Sequence, residues 1–153
     1  MKHKIILKES SSPTLLIINT NKKYRGDIKE LINAELIEIV RLDDSGLCLL
    51  VDEDGYGKDL PHNFFLSFGN SVYPIQTIIG DVVFARLKPL DYSNGEPWDY
   101  ELESLTESDI QTIKQILRDD VQAKYRSMFE NLYGDTNNPQ NYWGFTVTSI
   151  SDI

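Results

Sequence analysis

Apolar and polar positions alternate most clearly from Ala34 to Gly55, AELIEIVRLDDSGLCLLVDEDG, and the pattern predicts a β-hairpin. Two apolar runs, Leu36 to Leu42 and Leu47 to Val51, flank Asp43-Asp44-Ser45-Gly46, a residue set that turns readily between strands. Because successive side chains point to opposite faces, Ile37 and Ile39 share one face while Leu36, Val40 and Leu42 share the other. The return strand divides in the same way, Leu47, Leu49 and Val51 against Cys48 and Leu50. A strand that is apolar on both faces needs cover on both, so the hairpin is expected at the centre of a sheet or small barrel. Glu38 interrupts the Leu36 and Val40 face; an edge position, or pairing with Arg41 or Arg86, accounts for it better than a buried working carboxylate.

Around this hairpin the chain predicts a strand pair over Lys4–Leu7 and Thr14–Asn19, joined by the polar loop Lys8-Glu9-Ser10-Ser11-Ser12-Pro13. Asp27 and Glu30 resemble a capping box for a short helix through Ile28, Leu31 and Ile32, ending near Asn33. After the acidic turn Asp52-Glu53-Asp54-Gly55-Tyr56-Gly57 comes Leu60-Pro61-His62-Asn63, where proline bars a central strand. Ile78 to Ala85 reads as one strand bent at Gly80-Asp81, and Asn94-Gly95 splits Leu90 to Leu102 into a second, more polar hairpin.

Thr106 and Asp109 form a cap signature for a helix from Glu107 to about Tyr133, with Gly134 at the stop. Its apolar stripe is Ile110, Ile113, Leu117, Val121, Tyr125, Met128 and Leu132. A helix of that span is about 40 Å long at 1.5 Å per residue, more than a small domain needs, which places a bend or break near Asp119-Asp120. Trp143, Phe145 and Val147 alternate with polar neighbours as a final one-sided strand. The fold class is therefore α+β in one domain: strands and a short helix over 1–33, the sheet core over 34–105, a helix over 106–133 and a last strand over 141–150. An antiparallel sheet or partly open small barrel surrounds the central hairpin, and the C-terminal helix packs on it.

Charge changes this picture more than composition does. Of 24 acidic and 15 basic residues, the stretch 42–113 holds 14 acidic and only 3 basic, so the whole negative surplus lies in the middle of the chain. A nucleic-acid binder must present a basic footprint to phosphates, and this distribution argues against one while permitting a basic partner. Cys48 is the only cysteine, which excludes an internal disulfide. Ile5-Ile6-Leu7 is too short for a signal h-region, and no apolar run reaches transmembrane length, so the expectation is a cytoplasmic protein with no membrane contact.

From Ile28 to about Ile113, a short helix, ELIEIVRLDD, a glycine turn, LCLLVDEDG, LPHN, IIGDVVF and SLTESDIQTI follow in an order that resembles an uncharacterised domain family found in phages, plasmids and bacterial genomes. The family often has two glycines where this chain has Asn33-Ala34. It has no established activity, so the resemblance implies a genomic habitat rather than a mechanism.

Asp52, Asp54, Gly57 and Asn63 suggest a calcium loop, but Tyr56 stands where a ligand is needed and Asn63 replaces the bidentate glutamate, which favours a plain acidic turn. One cysteine and two histidines, His3 and His62, cannot close a zinc site without carboxylates. A Cys48 and His62 pair would need an accessible thiol, and Cys48 lies in an apolar strand. No catalytic, cofactor-binding or metal residue is assigned. The helical stripe is read as core, with a dimer seam as its functional alternative, so monomer and homodimer both remain open.

The expected partner surface combines the turn Asp52, Glu53 and Asp54 with Asp91, Tyr92, Glu96, Trp98, Asp99, Tyr100 and Glu101 of the polar hairpin. No basic residue lies between Lys88 and Lys114, and the interleaved aromatic rings supply the amphipathic area that dominates interface hot spots. The reading is a non-enzymatic acidic interaction protein of a mobile element. Its expected target is a basic nucleic-acid-processing host protein, a nuclease or CRISPR effector, held in the manner of an anti-restriction or anti-CRISPR inhibitor. Alternatives are a small carboxylate- or metal-dependent hydrolase and an accessory regulatory domain.

Overall fold

A computed structural model describes residues 2–69, 74–88, 100–134 and 146–149. The strands are β1 (His3–Lys8), β2 (Thr14–Thr20), β3 (Ile37–Arg41), β4 (Leu47–Asp52), β5 (His62–Ser67), β6 (Ile75–Ile79), β7 (Val82–Leu87), β8 (Leu102–Glu103) and β9 (Thr146–Ser149). A 3-10 helix spans Arg25–Ile32, and two α-helices follow, α1 (Glu107–Ile116) and α2 (Asp119–Tyr133). The main sheet is open, in the order β3-β4-β7-β1-β2-β9, with β8 pairing with β7; β5 and β6 form a separate antiparallel pair. The main-sheet pairs are antiparallel except β2 with β9. The sheet does not close into a barrel.

The two-faced alternation of the predicted hairpin is the main architectural fact. On one face of the sheet Ile6, Leu15, Leu47, Leu49, Val82 and Phe84 are buried beneath Phe64 and Ile78 of the β5-β6 pair and Ile110, Ile113 and Leu117 of the helical region. On the other, Ile5, Ile18, Cys48, Leu50 and Val83 are buried beneath Ile28, Ile32 and Ala34. Each face thus receives its own cover, as apolar strands require. The centre of the sheet, however, is β7 and β1 rather than the hairpin. Within the hairpin β4 is internal, while β3 ends the row, and Glu38 is exposed there in an edge position.

Four local expectations are corrected. Ile78 to Ala85 is not one bent strand: Gly80, with φ of +73°, turns the chain out of β6 and into β7, which belongs to the other sheet. Asp27 is three positions inside the 3-10 helix, not its cap; its carboxylate accepts from the Tyr24 N–H at 3.1 Å. Lys8 belongs to β1 rather than the loop, and it is fully buried.

The long helix breaks at Leu117-Arg118, beside the Asp119-Asp120 position where a break was expected, and the fourth correction is to its stripe. The Thr106 and Asp109 box is present, with reciprocal bonds of 3.1 and 2.9 Å, and Gly134 stops α2 with φ of +86°. Because the break resets the helical phase, the stripe does not continue across it. Ile110, Ile113 and Leu117 are core, but Met128 and Leu132 are exposed, and α2 turns Gln122 and Phe129 to β5 instead.

Gln122 makes that contact specific. Its Oε1 accepts from the Phe65 N–H at 2.8 Å, and its Nε2 donates to the Phe65 carbonyl at 3.0 Å and the Ile116 carbonyl at 2.8 Å. One side chain therefore mimics a neighbouring strand along the outer edge of β5 and satisfies a carbonyl left open at the end of α1. Arg86 plays a matching part on the main sheet. It grips Asp109 through two bonds, 2.9 and 2.6 Å, and donates to the Ser45 carbonyl at 2.8 Å, tying the β3-β4 turn to the start of α1.

Candidate interaction surface

The expected partner surface is divided by the fold. Asp52 is a scaffold group, with its carboxylate buried: one oxygen takes the Lys58 ammonium at 2.6 Å and the other accepts from the Asp54 N–H at 2.9 Å. Lys58 also donates to the Asn33 carbonyl at 3.2 Å, so this pair shapes the 52–60 turn and offers Asp52 to no partner. Glu53 and Asp54 are exposed. Asp91, Tyr92, Glu96, Trp98 and Asp99, like Trp143 and Phe145, lie outside the described residues.

Tyr100 and Glu101 sit against the start of the 3-10 helix. The Tyr100 ring packs at the margin of the second core with the Arg25 guanidinium 5.2 Å from its centre. Glu101 lies between Lys88 at 3.5 Å and Lys23 at 3.8 Å. At Glu101 the fold therefore supplies the cations that the sequence between Lys88 and Lys114 lacks. Glu107 has Lys4 at 4.0 Å, and Asp109 is engaged by Arg86, whose hydrogen bonds hold its carboxyl below the usual carboxylate range. Distant segments supply the cations that the local sequence lacks.

Two described acids without a cation within 4.0 Å come together at the β3 end of the sheet. A groove of about 160 Å³ opens between the β3-β4 pair and β6, with Val40, Val51, Phe68 and Ile78 as its apolar lining. Glu38 and Glu53 line it as well, and no described cation pairs with either. Tyr56 also borders the groove and is 75% exposed. The turn that carries Glu53 and Tyr56 is set against β6 by Gly55, where a Cβ would come within 3.3 Å of the Ile79 side chain and the Asp52 carbonyl.

The edge of β3 itself is open in a way that register defines. Leu42 N–H donates to Leu47 and Glu53 N–H to Leu36, which makes 42/47, 40/49, 38/51 and 36/53 the hydrogen-bonded pairs of the ladder. Ile37, Ile39 and Arg41 consequently aim their backbone groups away from β4. Of these, the Ile37 carbonyl accepts from Arg25 Nη1 at 2.9 Å; no described strand lies beside Ile39 and Arg41.

The sites weighed for catalysis do not assemble. Asn63 is buried away from the acidic turn, its Nδ2 donating to the Gly80 carbonyl at 2.8 Å and its Oδ1 accepting from Lys8, which removes it from any calcium loop. Among the described residues no group of three or more His, Cys, Asp or Glu side chains is placed to hold a metal ion. Cys48 is buried on the 3-10 helix face, where burial pushes its thiol up, whereas His62 lies on the β5-β6 pair beside Phe65, with ring centres 4.5 Å apart. The main sheet separates them.

Sequence reasoning missed the burial of two polar groups, Lys8 and His62. Lys8 donates its ammonium to the Glu9 and Ser12 carbonyls and to Asn63, closing the loop between β1 and β2, and burial lowers its pKa to about 8. His62 bonds Thr77 through Nδ1, while its Nε2 is buried with no hydrogen-bond partner. A lysine at the boundary of an apolar run gave only the signal of a loop. No helix among the described residues is long and apolar enough to cross a membrane. The chain is an α+β protein with an open, edge-exposed sheet; no family model, curated protein or solved structure matches it.

Proposed function

We propose that the chain is a non-enzymatic interaction protein that binds a basic protein partner at the acidic β3 end of its sheet. The observation that carries this reading is that Glu38 and Glu53 border one apolar groove with no described cation beside either, whereas Asp52, Glu101, Glu107 and Asp109 each have a cation at 4.0 Å or less. An apolar floor with two carboxylates at its rim suits a long cationic side chain, whose methylene stem can be buried while its charged head stays at the rim. Exposed Tyr56 adds a ring face on which a guanidinium can stack. With the habitat implied by the resemblance to phage and plasmid domains, the partner class we propose is a nucleic-acid-processing host protein held by contact, as an anti-defence inhibitor would hold it.

The test compares the wild-type chain with a Glu38→Gln, Glu53→Gln, Asp54→Asn variant in capture from a bacterial lysate, with the retained proteins identified by mass spectrometry. Retention of basic proteins by the wild type alone, and its loss in 1 M salt, where the screening length is about 3 Å, is the expected result. Identical sets retained by both chains at both salt concentrations would overturn the reading.

A further inference from the structure

We infer that the partner binds as an added β-strand: an extended basic segment pairs with the free edge of β3 and sets an arginine or lysine side chain into the groove between Glu38 and Glu53. This rests on the interaction reading above and specifies its geometry. Three observations converge on it. First, the outward backbone groups of Ile39 and Arg41 form the donor and acceptor row that strand addition uses. Second, the molecule closes a comparable edge elsewhere: Gln122 occupies both backbone groups of Phe65 on β5, while among the described residues the Ile37 carbonyl is the one outward group of β3 that is taken, by Arg25.

Third, the groove and the edge share one face of the sheet. Glu38 and Val40 point to the side covered by the β5-β6 pair, since Val40 packs in that core, and both line the groove. Residues paired across a ladder project to the same face, so every second side chain of an added strand would come down beside Glu38. The backbone supplies sequence-independent affinity, and the groove with its two carboxylates selects a cation at that position. An acidic segment would meet Glu38 and Glu53 with like charge and be rejected.

Three seven-residue peptides alternating Arg with Val test this against the full chain by titration calorimetry. One is unmodified, and the other two carry N-methyl groups on alternate amides of opposite parity. Strand addition requires that methylation of the parity facing β3 weaken binding at least tenfold and that the other parity leave it within twofold. Ile39→Pro, which removes an outward N–H without touching a bond to β4, should weaken the unmodified peptide to the same extent, with its fold checked by circular dichroism. If both methylated peptides bind as well as the parent, and Glu38→Gln and Glu53→Gln still weaken all three, strand addition is overturned while the acidic-surface reading stands. If no peptide binds, both fall. A dimer in light scattering that Ile39→Pro dissolves would assign the edge to a second copy and overturn the inference.

Discussion

Acid should destabilise this protein through one histidine more than through any carboxylate. His62 is 6% exposed, and its pKa is lowered from 6.5 to about 4 by burial first, then by the positive charges of Arg126 and Lys8. In the unfolded chain the ring takes up a proton as pH falls below 6.5, but in the native state it does not until about pH 4. The unfolded state therefore binds more protons throughout that window, and stability is full above 6.5 and lost as pH falls. From the two values the loss relative to pH 7 is about 1 kcal/mol at pH 5.5 and about 3 kcal/mol at pH 4, a large share of the 5–15 kcal/mol typical of a domain. His62→Phe keeps a ring against Phe65 and removes the titration. Urea unfolding of both proteins at pH 7, 5.5 and 4 should give curves that diverge by these amounts as pH falls, the carboxylates common to both cancelling in the difference. Arg126→Gln should raise the pKa of His62, read from its ring proton by NMR, since it removes the larger of the two charge effects that lower it. Parallel stability curves for wild type and His62→Phe, or a native His62 titrating above pH 6, would refute the reasoning.

Arg86→Met should cost about 3 kcal/mol in urea unfolding, because it leaves the Asp109 carboxylate, 4% exposed, without its partner. The same substitution should flatten stability at low pH, since the depressed native pKa of Asp109 gives stability present above the ordinary value of 3.8 and lost as pH falls through the native one. Gln122→Leu should cost about 2–3 kcal/mol by orphaning the Phe65 and Ile116 backbone groups, and hydrogen exchange at the Phe65 amide should accelerate more than at β7 amides. Gly46→Ala should lower the melting temperature by several degrees: φ there is +119°, and a Cβ would stand 2.5 Å from the Leu87 carbonyl oxygen.

Period-two alternation in 36–51 determined by itself that these residues form a hairpin, and both faces of its inner strand β4 are buried as that alternation required, because side-chain direction in a strand follows from sequence parity alone. The Thr106 and Asp109 box and the stop at Gly134 were legible for the same reason, since capping depends on residues three or four apart. The α+β class and the edge character of Glu38 were within reach too. Position within the sheet was not: β7 and β1 are neighbours across more than seventy residues, and which strand stands at the edge depends on that long-range pairing. The phase of α2 followed the break at Leu117-Arg118, so a stripe projected through it from α1 faced the wrong way. Charge was decided least of all by local sequence. Lys4, Lys23, Arg86 and Lys88 are brought beside Glu107, Glu101 and Asp109 by the fold, and this compensates those three acids of a field that looked concentrated along the chain. The pair Glu38 and Glu53, fifteen positions apart in sequence, is brought together by the hairpin register, 38/51 and 36/53, but the groove they border exists only because the turn after β4 folds back against β6.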